Sequence, residues 1–267
     1  MISTEFKRLL NETFQFEATV SQNHWLDSIV DFIFTKEKNV LYLLKGYAGT
    51  GKSTLVGHLV KYLVKANSKA ILMAPTGRAA KVIANYSNKK ANTIHKQIYY
   101  TKNEKGSGVQ FVLKPNKYEN TIFIVDEASM IGDERQNAKL FENGSLLDDL
   151  MQYVDSGSNC KLMLVGDPAQ LPPVHLNISP ALDGDYLKSQ FNKTVTECEL
   201  KEVVRQQQES GILANATQLR IQMNHEHNHS FAFDLSIASD IIRSHGGNVK
   251  LEKSSLNGLG VKIFLPV

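Results

Sequence analysis

The chain has 267 residues, 42% of them hydrophobic, enough for one substantial core and a small appendage. Its formal net charge is +3 and its pI near 8.7, a mild basic excess that admits a polyanionic partner without requiring one. No segment approaches the ~20 consecutive apolar residues of a membrane span, so no membrane partner is expected. Two cysteines, Cys160 and Cys198, lie far apart without paired spacing, and the opening MISTEFKRLLNETF lacks the apolar stretch of a signal peptide. Both features predict a reducing cytoplasm.

In chain order, residues 21–35, SQNHWLDSIVDFIFT, place Trp25, Ile29 and Phe32 at helical spacing behind a Ser or Gln suited to a helix start. Short apolar runs then alternate with helical patterns: VLYLL (40–44) with STLVGHLVKYLVKA (53–66), and AILMAP (70–75) with GRAAKVIANY (77–86). Such alternation predicts parallel strands joined by crossover helices. Residues 98–118 interrupt it with two β-type runs around the turn-forming EKGSG, which predicts an inserted hairpin. TIFIVDE (121–127) and KLMLVGD (161–167) add two buried strands, each ending on an acid. Ligands of open α/β sheets bind beyond the carboxyl ends of the strands, so these acids should converge on one site. No internal repeat is present; after residue 206 the pattern weakens, and MNHEHNHSF (223–231) reads as a polar connector.

The first chemical motif is GYAGTGKST, Gly46 to Thr54, which follows the VLYLL strand and opens a helix. Gly46, Ala48, Gly49, Thr50 and Gly51 let backbone N–H groups approach phosphates, and the helix N-terminus adds partial positive charge. Lys52 reaches the β/γ-phosphates, Ser53 ligates Mg²⁺, and Thr54 continues the helix. A glycine-rich connecting turn is the plain alternative, but strand, motif and helix stand in the required order. In Asp126-Glu127, Asp126 is suited to hold Mg²⁺ and Glu127 to polarise an attacking water, although acids at strand ends also serve as turn formers. GDPAQLPPV (166–174) then places Gln170, a neutral amide, in a loop stiffened by Pro172 and Pro173 at the same sheet edge. There it can contact the γ-phosphate or the attacking water and so distinguish ATP from ADP.

At these residues the sequence resembles a superfamily 1B helicase of the RecD-like group. The motifs run in that family's order: Gln22, GYAGTGKST, APTGRAAKV (74–82), TIH (93–95), VDEASM (125–130), GDPAQLPPV and LKEVVRQ (200–206). The resemblance implies ATP and Mg²⁺ as cofactors, Gln22 as the adenine reader, and Lys52, Glu127, Gln170 and Arg205 as the catalytic set, Arg205 reaching the γ-phosphate. It further implies that Thr76, Gly77, Arg78, Thr93 and His95 contact single-stranded DNA, for which hydroxyl, backbone N–H and guanidinium groups suit phosphates. A surface salt bridge for Arg78 and a packed core position for His95 are the alternatives. The inserted hairpin corresponds to the family's wedge, where Tyr99, Tyr100 and Phe111 either stack on bases or pack the hairpin onto its host.

The implied architecture is α/β: a P-loop, RecA-like parallel sheet over 1–97 and 119–206, the wedge hairpin at 98–118, a connector at 207–233 and a tail at 234–267. The family motor uses two RecA-like domains with ATP in the cleft between them, and no counterpart of the second follows here. Partners implied are that second domain, single-stranded DNA, and the subunits of a DNA-repair helicase–nuclease complex of the exodeoxyribonuclease V kind. The expected activity is that of a 5′→3′ helicase motor; the rivals are a nucleotide- and strand-binding module without coupled unwinding, and a nucleotide kinase, which would need an acceptor pocket and lid. Residues 234–267 instead resemble the closing helix and β-hairpin of a histidine-kinase ATP-binding domain, without its nucleotide-binding boxes, as a passenger joined in frame. Gly258-Leu259-Gly260 falls in the turn of that expected hairpin. His225-Glu226-His227-Asn228-His229 satisfies the HExxH pattern, with His245 or Glu252 as a nominal third ligand, but it lacks the apolar helix face of a zinc protease and reads as a polar linker.

Overall fold

The computed structural model describes residues 1–104, 108–133, 141, 143–170, 173, 179–204, 248–253 and 259–264. The chain divides into two compact units, Met1–Val204 and Arg205–Val267.

In the first unit six strands form one parallel sheet: β1 (Val40–Gly46), β2 (Lys69–Ala74), β3 (Ala91–Thr93), β6 (Thr121–Val125), β7 (Lys161–Gly166) and β8 (Thr194–Leu200), in the order β3-β2-β6-β7-β1-β8. Every pairing within it is parallel. Side chains alternate across a pleated strand, and both faces of this sheet are covered. Val40, Tyr42 and Leu44 of β1 join one core with Trp25, Ile29, Leu55, Leu59 and Ile83, drawn from α2 (Val20–Phe34), α3 (Lys52–Tyr62) and α4 (Gly77–Ser87). Leu41 and Leu43 enter the other with Ile94, Leu150 and Leu187, from α5 (Ile94–Ile98), α6 (Leu146–Asp155) and α7 (Gly184–Phe191). An N-terminal helix not anticipated from the sequence, α1 (Ser3–Thr13), buries Phe6 and Leu10 in the first core.

Helix α2 is capped by Thr19, ahead of the Ser or Gln that the sequence suggests. The Thr19 hydroxyl accepts from Gln22 N while Gln22 Oε1 accepts from Thr19 N, the reciprocal pairing of a capping box. At its other end the Lys161 ammonium donates to the carbonyls of Phe32, Ile33 and Thr35, each at 2.8 Å.

The inserted hairpin pairs β4 (Tyr99–Glu104) antiparallel with β5 (Gly108–Leu113), Tyr99 opposite Leu113 and Glu104 opposite Gly108, within the expected 98–118. In the second unit β9 (Asn248–Lys253) and β10 (Leu259–Phe264) form the expected tail hairpin. It differs from the sequence reading in that Leu259 and Gly260 lie in β10, opposite Lys253 and Glu252, so both belong to the ladder rather than the turn. The tail helix, the connector at 207–233, its HExxH pattern and His245 lie outside the described residues. No group of three or more His, Cys, Asp or Glu able to hold a metal occurs among the described residues, and none of their helices is long and apolar enough to cross a membrane.

Candidate nucleotide site and strand edge

Apart from Gln22, which lies in α2, the motifs singled out leave the sheet at the carboxyl ends of strands: the glycine-rich loop after β1, Thr76-Gly77-Arg78 after β2, Thr93 at the end of β3, Asp126-Glu127 after β6, and Asp167 to Gln170 after β7. In sheet order β7 lies between β6 and β1, so the acid pair and the loop flank the strand that carries Gln170.

The loop is built for close approach. Gly49 and Gly51 hold φ of 83° and 91°, the left-handed region that glycine alone enters without strain. Gly51 is confined by space as well, since a Cβ there would meet Gln22 Nε2 at 2.8 Å. The Thr50 hydroxyl folds onto Tyr47 O at 2.8 Å, and Gln22 Nε2 donates to Thr50 O at 3.0 Å from beneath. Gln22 is thus buried against the loop with both ends of its amide bonded within the protein, a supporting contact that its expected reading of a base did not include. The Lys52 ammonium donates to Gly46 O at 2.7 Å and Tyr47 O at 3.0 Å. Those carbonyls cradle the cation where anionic oxygens of a phosphate would compete for it. Ser53 and Thr54 follow in the first turn of α3, half-buried.

Across β7, Asp126 is only 5% exposed and its Oδ1 accepts from Glu127 N at 3.0 Å. Burial, and then the neighbouring Glu127 carboxylate, push its carboxyl up to about 6 against the pull of Lys52. Glu127 stands at φ 56°, a left-handed non-glycine residue at the mouth of the site. The Ser129 hydroxyl, at 1% exposure, donates to Gln170 Oε1 at 2.8 Å, tying the turn after the acid pair to the loop after β7. The buried Asp167 accounts for the acid at the end of that strand: its Oδ1 accepts from Ala169 N at 2.8 Å and shapes the turn that presents Gln170. Leu171 and Pro172 lie outside the described residues.

Sequence reasoning missed Ser129, although it stands within VDEASM three residues past Asp126. It also missed a polar latch from the far side of the loop. Glu202 accepts from the hydroxyls of Ser21 and, at 2.9 Å, Thr19, while Val204 N donates to Gly49 O at 3.0 Å. The chain leading to Arg205 is therefore pinned to the glycine-rich loop; Arg205 itself lies outside the described residues.

Along the edge expected to meet a single strand, the Thr76 and Thr93 hydroxyls cap α4 and α5, accepting from Ala79 N and Lys96 N. Gly77 has nothing within 4 Å of where a Cβ would sit, and Arg78 is exposed. His95 is half-buried, its ring centroid 5.2 Å from Phe111 and 5.7 Å from Tyr99, and burial lowers its pKa. Tyr99, 3% exposed, donates its hydroxyl to Asp149 Oδ2 at 2.6 Å. His95, Tyr99 and Phe111 thus pack the hairpin onto its host, and only Tyr100, 57% exposed with Lys114 Nζ 5.3 Å from its ring centroid, presents an aromatic face outward.

A family described as AAA domain matches residues 28–245. The chain belongs to it, as a superfamily 1B helicase motor domain. Relatives include the ATP-dependent DNA helicase dda of Enterobacteria phage T4, 28% identical over 226 residues that cover 83% of this chain and 46% of that protein. The ATP-dependent RecD2 DNA helicase of Deinococcus radiodurans is 34% identical over 138 residues, 50% of this chain and 16% of its own. The chain thus spans less than half the length of either relative. Among solved structures, the Pif1 helicase from Candida albicans aligns with a TM-score of 0.48 at 20% identity, covering 90% of this chain and 57% of that one. The AAA match runs past residue 233, overlapping the first residues of the stretch that resembles a kinase tail.

Proposed function

We propose that this motor domain hydrolyses ATP and holds single-stranded DNA along the edge bearing Thr76, Gly77, Arg78 and Thr93, as the first half of a 5′→3′ DNA helicase. The observation that carries the reading is the Ser129–Gln170 bond, because it couples the strand that presents the acid pair to the strand that presents an amide beside the phosphate loop. In this reading Lys52 exchanges two backbone carbonyls for β/γ-phosphate oxygens, and Gln22 keeps Thr50 in register beneath them. Ser53 and Asp126 would hold Mg²⁺, which when bound neutralises charge on the β- and γ-oxygens. The donor set suits it: Asp126 takes one hydrogen bond, is buried, and sits beside a second carboxylate, so its charge is one that a cation would offset. Too few carboxylates converge to hold a metal alone among the described residues, so phosphate oxygens would complete the coordination. Glu127 polarises the attacking water, Gln170 senses the γ-phosphate, and Arg205 stabilises charge in the transition state.

Steady-state ATPase assays with and without oligo-dT test this. Lys52→Ala should abolish turnover, since the described loop holds no other cation. Glu127→Gln should keep nucleotide affinity and lose hydrolysis by about 10²-fold or more, the usual worth of a positioned base. Undiminished turnover in Lys52→Ala would remove the P-loop from the chemistry, and equal loss of affinity in both variants would contradict their separate roles.

A further inference from the structure

We propose that the outer face of α4 is a docking surface for the phosphate backbone of duplex DNA, the arm of the substrate that is still paired. This rests on the motor-domain reading and extends it to a surface outside the nucleotide site and the strand edge. Its first support is a segregation of charge. Between Glu37 and Glu104 the chain contains no Asp or Glu, yet it holds twelve Lys and Arg, while over the whole sequence 30 basic residues face 27 acidic ones. Elsewhere, then, acids outnumber bases, and the near-neutral total conceals a strongly basic segment.

Helix α4 carries the outward part of that segment. Ile83 enters the core, while Arg78, Lys81, Val82 and Tyr86 lie exposed, followed by the half-buried Lys89 and the exposed Lys90 just past the left-handed cap at Asn88. Ion pairs on the unit hold Lys7, Arg8, Lys45, Lys188 and Lys193, all outside this face. None of the four cations of this face joins an ion pair among the described residues. Helix electrostatics accounts for only two of them. Lys89 and Lys90 suit the negative end of the helix dipole, but Arg78 sits in its first turn, where the dipole is positive and no acid offsets it. Arg78, exposed and held against the local field, suits an external anion, and it is where this face meets the proposed single-strand edge.

The geometry favours a duplex over a strand. Single strands are usually threaded through grooves lined with stacking aromatics. This face is instead the outer side of a helix about 16 Å long with a single exposed aromatic, Tyr86, anchored to α3 by a close approach in which a Cβ on Gly57 would meet Tyr86 O at 2.6 Å. Spaced cations on a rigid convex rod match a polyanion with one charge per ~1.7 Å of axis, read without regard to sequence. The stripe starts at Arg78, on the edge where the single strand is proposed to lie, and runs down the helix to the opposite edge of the sheet.

The test is fluorescence anisotropy on the whole chain with two probes, a short blunt duplex and oligo-dT, over a series of salt concentrations. The variant Lys81→Glu/Lys89→Glu/Lys90→Glu leaves the nucleotide site and Arg78 untouched, and the matching triple Arg variant controls for charge. The glutamate variant should bind duplex roughly tenfold or more weakly, with its log–log salt slope reduced by about 0.9 for each phosphate it no longer neutralises. Oligo-dT binding and ATPase should stay at wild-type levels, and the arginine variant should bind duplex normally. An unchanged duplex affinity and slope would overturn the proposal, as would equal losses for duplex and oligo-dT, which would make α4 part of the strand track. Wild-type protein that binds oligo-dT but no duplex would overturn it while leaving the motor-domain reading intact; wild-type protein that binds neither would remove the reading on which it rests.

Discussion

Asp126 illustrates how a functional residue sets its own stability cost. Its carboxyl in the folded chain is held at about 6, above the ordinary 3.8. Between those two values the folded protein binds more protons than the unfolded one, so stability falls as pH rises through that window, and the penalty is fully present above about 6. Asp126→Asn should therefore leave the protein at least as stable as wild type at neutral pH and erase this slope, while abolishing Mg²⁺-dependent ATP turnover. Urea midpoints of both proteins on the acid side of that window and at neutral pH measure it; a variant that is less stable at neutral pH contradicts the assignment of strain to this carboxylate. The positions of Asp126, Glu127 and Lys52, at the end of β6 and the start of α3, were legible in the sequence because the chemistry proposed for them needs fixed residue types at fixed spacing. Ser129 was not, because a buried hydroxyl declares its partner only when Gln170, 41 residues on, folds against it. Ser129→Ala should raise KM for ATP little and lower kcat severalfold, because it frees Gln170 without touching the loop; an unchanged kcat would reduce the bond to packing.

Among the elements, those bounded by chemistry were the easiest to read. The strands leading to Gly46, Asp126 and Asp167 and the helices opening at Lys52 and Gly77 lie where the patterns put them, since buried parallel strands appear as continuous apolar runs. Less legible were β3, three residues long, and β8, an edge strand whose TVTECEL alternates because only β1 pairs with it. Helix α2 shows a second limit, for its C-terminal cap arrives from Lys161, 126 residues beyond Thr35. Burial lowers the pKa of Lys161 to about 8. The unfolded chain therefore holds more protons than the folded one between about 8 and the ordinary 10.5, and stability should rise with pH across that range, the penalty being fully present below it. Lys161→Met should remove that rise and leave three helix-end carbonyls unpaired, each at a cost of about 1–3 kcal/mol, set against the burial penalty of the ammonium that it also removes. Thermal melts from neutral pH up through that range decide it: a wild-type curve without the rise would show that the ammonium is not desolvated.

At the scale of the molecule, the sequence order of motifs determined the architecture, but not how its charge is arranged on the surface, which needed α4 placed and its exposed face identified. Unwinding needs two bodies that close on ATP and part on release, so that nucleotide state becomes relative motion. Among the described residues there is one parallel sheet and one phosphate loop, and the latch from Glu202 and Val204 to Ser21 and Gly49 ties the following chain to that loop without supplying an opposing surface. The 267 residues by themselves should therefore bind oligo-dT weakly and in a salt-sensitive way, hydrolyse ATP slowly with little stimulation by DNA, and open no duplex. Joining a RecD-like second motor domain in place of residues 235–267 should restore stimulation. In that fusion Gln170→Ala should lower DNA-stimulated turnover far more than nucleotide affinity, because in the proposed function the amide bonded to Ser129 senses the γ-phosphate rather than holding the nucleotide. Strand-displacement and ATPase assays on the two proteins check this: efficient unwinding by the 267-residue chain would overturn the requirement for a second motor domain.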